Sequence, residues 1–269
     1  LEKILKDLKP DVVAHFAGLK CISESELYPN TYWENNFQSS KNILFAMHGS
    51  GCKKIIFSSS AAVYDPANTQ PLSESSDLKA LSVYGETKIA VEEIYKAAAQ
   101  EGIIDVLSLR YFNPLGVHRA RIVSDNIESK SANLMPKILR VALNLDQAVK
   151  VFGDDYTTKD GSGERDYIHI NDLVSGHFSA IKYLESNNGY HVFNLGTGKS
   201  VSVFKLLKTF EKVNAIKIPI TIAERRIGDV AVCYADPKRA KDILKWEAKE
   251  TLDKMCLDAW RAIEKNGFN

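Results

Sequence analysis

The sequence has few of the features that mark secreted or metal-binding proteins. Its cysteines are Cys21, Cys52, Cys233 and Cys256, and no two of them form a CxxC pair. The six histidines show no metal-ligand spacing either. Scattered cysteines argue against a disulfide framework or a zinc site, and they are typical of a reducing compartment. We therefore predict a cytoplasmic protein without a metal site.

Long apolar runs and an excess of one charge are also lacking. No apolar run approaches the roughly 20 residues that span a bilayer. The 35 Lys and Arg residues nearly balance the 34 Asp and Glu residues, for a net charge of +1. Neither nucleic acid nor a membrane is therefore an expected partner. The 269 residues suffice for one large domain or two smaller ones.

Apolar segments alternate with amphipathic ones in the first half of the chain. The segments DVVAHFAG, KKIIFSSSAAVY and DVLSLRYFNP are typical of buried parallel strands. Helical patterns lie between them, at about 32–48 and 86–100. This order predicts an α/β doubly wound sheet. Further along, we expect a helix at about 135–145, strands at KVFG, YHVFNLG and IPITIAE, and a helix starting at Asp236-Pro237.

Tyr84 and Lys88 give the strongest local indication of chemistry. Residues four apart share one face of a helix, so the phenol and the ammonium are expected to point the same way. A nearby positive charge favours the phenolate and makes a tyrosine a better base. The spacing alone is common in surface helices. It gains weight from Ser58-Ser59-Ser60, which end an upstream strand where open α/β sheets bind ligands.

Eight short motifs follow one another along the chain: HFAGLK, FSSSAAVY, YGETK, LRYFNPLG, NLMP, GERDYIH, NLGTG and RRIGD. Their order is similar to that of UDP-galactose 4-epimerases, of the extended short-chain dehydrogenase/reductase family. The resemblance implies a Rossmann-like doubly wound parallel sheet, with its N-terminal strands missing, and a smaller C-terminal α/β substrate domain. The implied domains are a partial NAD-binding domain at 1–114 and a substrate domain at 115–269, with segments near 165–180 crossing back.

The resemblance also implies roles for individual residues in the reaction and in NAD binding. Tyr84 is implied as the catalytic base, Ser60 as its hydrogen-bonding partner, and Lys88 as modifier of the Tyr84 pKa and ligand of the nicotinamide ribose. Strand-end glycines are common, so Gly18 could equally be structural. The implied NAD-contacting set is Phe16, Ala17, Gly18, Lys20, Asn35, Ser58, Tyr84, Lys88 and Tyr111.

A UDP-sugar is the substrate that the resemblance implies. Arginines suit its diphosphate because the guanidinium presents a fork of donors to phosphate oxygens. Arg165 and Arg226 match diphosphate-binding positions, and Asp229 matches a ribose-binding carboxylate. The implied substrate-contacting set is Lys20, Ser60, Tyr84, Asn113, Asn133, Leu134, Lys150, Val151, Phe152, Arg165, Arg226, Asp229 and Cys233.

The start of the chain departs from the family pattern. Members of the family begin with a strand, a Gly-rich turn and a helix that hold the NAD pyrophosphate. The first residues here, LEKILKDLKP, are instead typical of the end of an amphipathic helix. We therefore expect the sequence to be a fragment of a longer polypeptide. The stretch 117–132 also lacks the Gly and Pro pattern of the corresponding family loop.

By the same resemblance, Cys233 falls at a position near the sugar pocket, where epimerases restricted to plain hexoses have a bulky tyrosine. A smaller residue leaves room for an acetamido group. We therefore expect activity on UDP-N-acetylglucosamine as well as on UDP-glucose. The implied reaction is a transient oxidation at C4 by tightly bound NAD, in a homodimer.

Two alternatives stay open on the sequence. A related NAD-dependent dehydratase or decarboxylase would need an extra acid or base beside Ser60, where Ala61 and Ala62 stand. A non-catalytic UDP-sugar-binding protein would not need Ser60, Tyr84 and Lys88. His15, His169 and His177 are interpreted as structural residues, and Gly196-Thr197-Gly198 as a turn from a strand into a helix.

Overall fold

A computed structural model describes residues 1–118, 133–226 and 228–266 of the chain. By its internal contacts the chain divides into two compact units. The first comprises Leu1–Tyr111, Ser175–Leu195 and Asp236–Trp246, and the second comprises Phe112–Val174, Gly196–Ala235 and Glu247–Asn269. The domain boundaries predicted from the sequence stay a prediction, because contacts do not show that a segment folds independently. Within the described residues, no helix is both long and apolar enough to cross a bilayer.

The first unit is built on a parallel sheet of described strands in the order β1-β2-β3-β8. Their bounds are β1 Val13–His15, β2 Lys54–Ser60, β3 Asp105–Tyr111 and β8 Tyr190–Leu195. Neighbouring strands pair in parallel register, with Ser59 opposite Arg110 and Arg110 opposite Asn194. The parallel α/β sheet predicted from the alternating apolar segments is confirmed.

Helices of the first unit cover this sheet. Their bounds are α1 Glu2–Leu8, α2 Ile22–Leu27, α3 Pro29–Tyr32, α4 Ser39–Ser50, α5 Val83–Gln100, the second part of α7 Ile170–Ser186, and α9 Lys238–Leu244. A π-helical segment at Trp33–Gln38 joins α3 to α4. The helix expected at 32–48 is therefore longer and locally widened. The core between the sheet and the helices includes Phe57, Val91, Tyr95 and Val106.

The second unit contains several small sheets and a helical layer. Its parallel pairs are β4 Asn113–Leu115 with β7 Tyr167–His169, and β5 Val149–Phe152 with β10 Ile220–Ala223. A third sheet contains β11 Val232–Cys233, β6 Glu164–Arg165 and β9 Val201–Ser202. Helices α6 Leu134–Ala142, α8 Val203–Asn214 and α10 Leu252–Asn266 pack around one apolar core. Of the stretch 117–132, which lacks the Gly and Pro pattern of the family loop, only residues 117 and 118 lie among the described residues.

Candidate active site and nucleotide-binding cluster

The amino end of α5 is fixed by three side chains that accept its free backbone N–H groups. Ser82 is the N-cap, and its Oγ accepts a hydrogen bond from Gly85 N at 3.2 Å. Glu26 Oε1 accepts from the N–H of Val83 at 2.9 Å, and Ser25 Oγ accepts from the N–H of Tyr84 at 3.1 Å. These acceptors satisfy donors that have no partner inside a helix. The backbone of Tyr84 is thereby held in one position.

Gly85 lets the start of α5 approach the end of β2. A Cβ atom at this position would lie 2.4 Å from the carbonyl oxygen of Ala62, too close for any other residue. Ala62 belongs to a short 3-10 turn, Ala61–Val63, which Ser60 caps by accepting a hydrogen bond from Ala62 N at 3.2 Å. The glycine therefore brings Tyr84 and the strand-end serine close together.

The structure brings Ser60, Tyr84 and Lys88 together, as the spacing predicts. Tyr84 is buried, and its pKa is raised by burial, while hydrogen bonding with Ser60 acts in the opposite direction. The Lys88 Nζ lies 5.8 Å from the centre of the Tyr84 ring. Burial has the largest effect on the phenol, and the lowering of the Tyr84 pKa by Lys88 stays a prediction.

Lys88 is a buried cation whose ammonium group has unused hydrogen-bond donors. Its side chain passes over the Phe57 ring, 4.8 Å from the centroid, and Nζ donates to the carbonyl oxygen of Ser58 at 2.8 Å. Burial lowers the pKa of Lys88 to about 8, while Glu92 raises it. An ammonium has three N–H donors, and the structure shows one of them in use. The group can thus bind acceptor atoms of a ligand.

The loop after β1 lies beside Lys88. A Cβ atom at Gly18 would be 3.0 Å from Asn36 Oδ1 and 3.8 Å from Lys88 Nζ, so a side chain here would crowd both. Asn36 is buried and holds the loop by accepting from Leu19 N at 2.8 Å and donating to Leu19 O at 3.0 Å. Phe16, Ala17, Gly18 and Lys20 are exposed. The backbone of this loop and the ring of Phe16 are therefore exposed, where a ligand can contact them.

Asn35 and Asn36 differ in their surroundings. Asn35, which the family resemblance implies as an NAD contact, is exposed and donates to the carbonyl oxygen of Thr31 at 2.9 Å. Asn36 also reaches α5, donating to Thr87 Oγ1 at 3.1 Å. Both lie in the π-helical segment, a type of widening that occurs often at functional sites. The role of Asn35 stays a prediction.

Tyr111 lies at the end of β3, next to Ser58 and His177. The Tyr111 hydroxyl is 2.5 Å from His177 Nε2, and its pKa is raised by burial, with hydrogen bonding to Ser58 acting in the opposite direction. The His177 ring also stacks on Phe16, with centroids 4.9 Å apart. His177, interpreted from the sequence as structural, therefore contacts two of the predicted NAD-binding residues.

In the second unit, Asp229 forms ion pairs with both of the predicted diphosphate-binding arginines. Arg226 Nε donates to Asp229 Oδ2 at 2.8 Å, and Arg165 Nη2 lies 3.7 Å from Asp229 Oδ1. The Arg226 guanidinium stacks on the Phe152 ring at 4.7 Å. We refer to Arg165, Arg226, Asp229 and Phe152 as the arginine cluster. It offers guanidinium donors, a carboxylate and an aromatic face, which suit phosphate, ribose and base respectively.

Cys233 and Asn113 lie next to the arginine cluster. Cys233 pairs with Arg165 in the β11–β6 ladder, and burial raises the pKa of its thiol to about 11. Asp166 links these strands, since its carbonyl accepts from Asn113 N at 2.9 Å and its N–H donates to Cys233 O at 3.1 Å. The thiol is thus a neutral, small group beside Arg165.

Gly196-Thr197-Gly198 hold an internal anion. The Asp166 carboxylate accepts from the N–H groups of Thr197 and Gly198 and from the Thr197 hydroxyl, at 2.9, 3.0 and 2.6 Å. The turn leads into α8, as predicted, and its donors are used by Asp166 rather than by a phosphate.

The other predicted substrate contacts fall on two elements of the second unit. Asn133 is the N-cap residue of α6, and Leu134 is the first residue of that helix. Lys150 is exposed on β5, whereas the Val151 side chain is 1% exposed and belongs to the core. A contact between Val151 and a ligand would therefore have to involve its backbone and not its side chain.

A family model named the NAD dependent epimerase/dehydratase family matches residues 1–196. The chain belongs to this family. The UDP-glucose 4-epimerase of Bacillus subtilis is 42% identical over 267 residues, which make up 99% of this chain and 79% of the relative. The chain therefore spans about four fifths of that relative's length.

Solved structures of epimerases share the fold of this family member. A UDP-glucose 4-epimerase from Stenotrophomonas maltophila, with bound NAD and formylated UDP-arabinopyranose, superposes with a TM-score of 0.95 at 38% identity, covering 99% of this chain and 80% of that chain. The UDP-Glc/GlcNAc 4-epimerase of Campylobacter jejuni gives a TM-score of 0.83 at 32% identity, covering 99% and 80%.

The residues present in this epimerase-family chain fit NAD. The unused donors of the buried Lys88 ammonium suit ribose hydroxyls, and the space that a Cβ would fill at Gly18 lies 3.8 Å from that ammonium. Phe16 and Tyr111, joined through His177, provide aromatic surface beside these groups. Asn36 and His177 were missed by sequence reasoning. The repeated Asn of Asn35-Asn36 could have indicated the first, while nothing in the local sequence marks the second.

Proposed function

We propose that this chain carries out the C4 epimerisation of UDP-hexoses, interconverting UDP-glucose and UDP-galactose with tightly bound NAD. The observation that carries the proposal is the assembly of Ser60, Tyr84 and Lys88 at one end of the sheet, with Gly85 permitting their close approach. Binding proteins have no need of a buried phenol beside a buried ammonium.

NAD, when bound, supplies the acceptor and donor of hydride at C4 of the sugar. Tyr84, as phenolate, takes the proton of the 4-hydroxyl, directly or through the Ser60 hydroxyl, as C4 becomes a ketone. The same phenol returns the proton when C4 is reduced on its opposite face. Lys88 holds ribose hydroxyls and favours the phenolate, offsetting the effect of burial on the Tyr84 pKa. No net redox change results.

The arginine cluster is proposed to hold the UDP part of the substrate. Arg165 and Arg226 would bind the diphosphate, Asp229 the ribose and the Lys150–Phe152 segment the uracil. Asn113, Asn133 and Leu134 would complete the surroundings of the diphosphate. The support is that Arg165, Arg226, Asp229 and Phe152 contact one another in the structure.

We further propose that UDP-N-acetylhexosamines are accepted. Cys233 is a small side chain beside Arg165, and a pocket cannot easily accept a group that it sterically rejects. The Campylobacter jejuni relative is named for both UDP-Glc and UDP-GlcNAc.

A cytoplasmic homodimer is the proposed form of the protein. Its cysteines are free thiols in the structure, which is consistent with a reducing compartment. Light scattering of the purified protein measures the mass in solution, and a monomeric mass would contradict the homodimer.

The first experiment is to purify the protein, denature it, and measure the NAD released into the supernatant. Near-stoichiometric NAD, together with conversion of UDP-glucose to UDP-galactose, is the expected result. If no NAD is released, and none is retained after NAD is added, the epimerase proposal is wrong. A non-catalytic UDP-sugar-binding protein would then be the better description.

A further inference from the structure

Glu92 is a buried carboxylate on α5, one helical turn beyond Lys88. It is 3% exposed, and it is not one of the predicted ligand contacts. The reaction described above gives it no role. A buried carboxylate is costly unless it is paired and hydrogen-bonded, and even a paired one adds little to stability. The arrangement around Glu92 therefore calls for a reason other than stability.

Glu92 receives hydrogen bonds from three neighbouring strands. Ser59 Oγ on β2 donates to Oε1 at 2.5 Å. Arg110 on β3 donates to both oxygens, from Nε at 3.0 Å and from Nη2 at 2.6 Å. Tyr190 on β8 donates to Oε2 at 3.2 Å. One carboxylate thus joins β2, β3 and β8 to α5.

The contact with Ser59 matters because of where that serine stands. Successive side chains of a strand point to opposite faces, so Ser59, which contacts Glu92, points to the face of β2 opposite to that of Ser58 and Ser60. Fixing Ser59 to Glu92 fixes the backbone that carries Ser60 and the Ser58 carbonyl. That carbonyl accepts the hydrogen bond of Lys88. Glu92 is therefore linked to both partners of the Lys88–Ser58 hydrogen bond. It lies on the same helix as Lys88, and it is bonded to Ser59, the neighbour of Ser58 on the strand.

Charge gives a second connection between Glu92 and Lys88. The carboxylate raises the pKa of Lys88 against the effect of burial. The other titratable groups near Lys88 are Tyr84 on its own helix and His15 on β1, whose pKa is lowered to about 4 by burial and by the Lys88 charge. His15 is neutral at physiological pH, and Arg110 on β3 is a second buried cation, paired with Glu92 at 2.6 Å. Glu92 therefore places one negative charge near two cations.

We propose that Glu92 is a positioning residue for the reaction. Its carboxylate ties the strand end bearing Ser58 and Ser60 to the helix bearing Tyr84 and Lys88, and places a negative charge near the Lys88 ammonium. The inference rests on the proposed function for its purpose, whereas the contacts themselves do not depend on that function.

The test is an NMR titration of Lys88 in the full chain with ¹³C-labelled lysine, assigned with the variant Lys88→Arg. In the wild type, the midpoint of the Lys88 titration, which is its pKa, is expected at about 8. In Glu92→Gln the midpoint falls by about one pH unit or more, because the opposite charge is lost. Tyr190→Phe, which removes one hydrogen bond to Glu92 and no charge, leaves the midpoint in place. An unchanged midpoint in Glu92→Gln would overturn the proposal.

Two further variants keep the test decisive. Glu92→Gln leaves the Arg110 cation buried without its partner, so the variant could fail to fold. The double variant Glu92→Gln/Arg110→Gln removes both charges, and a smaller fall in the Lys88 midpoint is expected, because a cation is lost together with the anion. Ser59→Ala breaks the strand contact alone. It should lower kcat with little change in KM while the Lys88 midpoint stays, and unchanged kcat would contradict the positioning role.

The titration separates this inference from the proposed function. A protein without epimerase activity in which Glu92→Gln still lowers the Lys88 midpoint would refute the function and leave the Glu92–Lys88 coupling standing. An active enzyme whose Lys88 midpoint does not respond to Glu92→Gln would support the proposed function and refute the Glu92–Lys88 coupling.

Discussion

The two groups of candidate residues are built in opposite ways. In the first unit, Tyr84 and Lys88 are buried, and their backbone and charge are held by fixed partners such as Ser82, Ser25 and Glu92. In the second unit, the Arg226 side chain is 46% exposed and is held by one carboxylate of its own loop. One group is preorganised by its surroundings, and the other includes an arginine that is half exposed.

This difference indicates where each part of the activity is specified. Groups that act on a developing charge work best when they are fixed in place before the reaction. Groups that bind a strongly charged substrate can remain exposed, because phosphate oxygens attract them over a distance. We therefore expect changes in the first unit to lower kcat, and changes in the arginine cluster to raise KM.

The largest effect is expected for Tyr84→Phe. The phenol is the proposed base, and loss of general acid–base catalysis costs about 10²- to 10⁴-fold in rate. Turnover of UDP-glucose should fall by this amount, while binding of UDP, measured by calorimetry, stays within about twofold. Equal losses of turnover and of UDP affinity would argue against Tyr84 as the base and against the separation of the two groups.

A smaller effect is expected for Arg226→Ala. One charge-assisted hydrogen-bonding partner of the diphosphate is lost, so KM for UDP-glucose should rise about tenfold with kcat little changed. Arg225→Ala is the matched control, because Arg225 stacks on Tyr156 at 4.2 Å and pairs with Asp155 instead. If the two variants raise KM equally, the effect is one of general positive charge and not of the arginine cluster.

The sequence predicted the parts of the fold that depend on local patterns. Buried parallel strands are continuous apolar runs, so KKIIFSSS and DVLSLRY could be placed with little error. Tyr84 and Lys88 could be paired because a helix repeats every 3.6 residues. Glu92 extends the same face by four more residues, and that spacing was available to sequence reasoning. Its significance depends on Arg110, which the sequence does not place beside it.

Contacts between distant segments could not be predicted in this way. The effect of burial on the Tyr84 pKa depends on how completely the surrounding chain covers the phenol, which spacing does not reveal. His177 reaches Tyr111 because β3 and the part of α7 that begins at Ser175 pack in the same unit. Asn36 was obscured for another reason, since the π-helical segment changes which residues of the helix face inward.

The smallest and most selective effect is expected for Cys233→Tyr. The substitution adds a bulky ring beside Arg165, where the N-acetyl group is proposed to lie. Activity on UDP-N-acetylglucosamine should fall about tenfold or more relative to activity on UDP-glucose, because added volume rejects the larger substrate. Cys233→Ser, which keeps the size of the side chain, is the control and should preserve the ratio of the two activities. An unchanged ratio in Cys233→Tyr would show that the acetamido group lies elsewhere, and that the second unit selects the nucleotide without selecting the sugar.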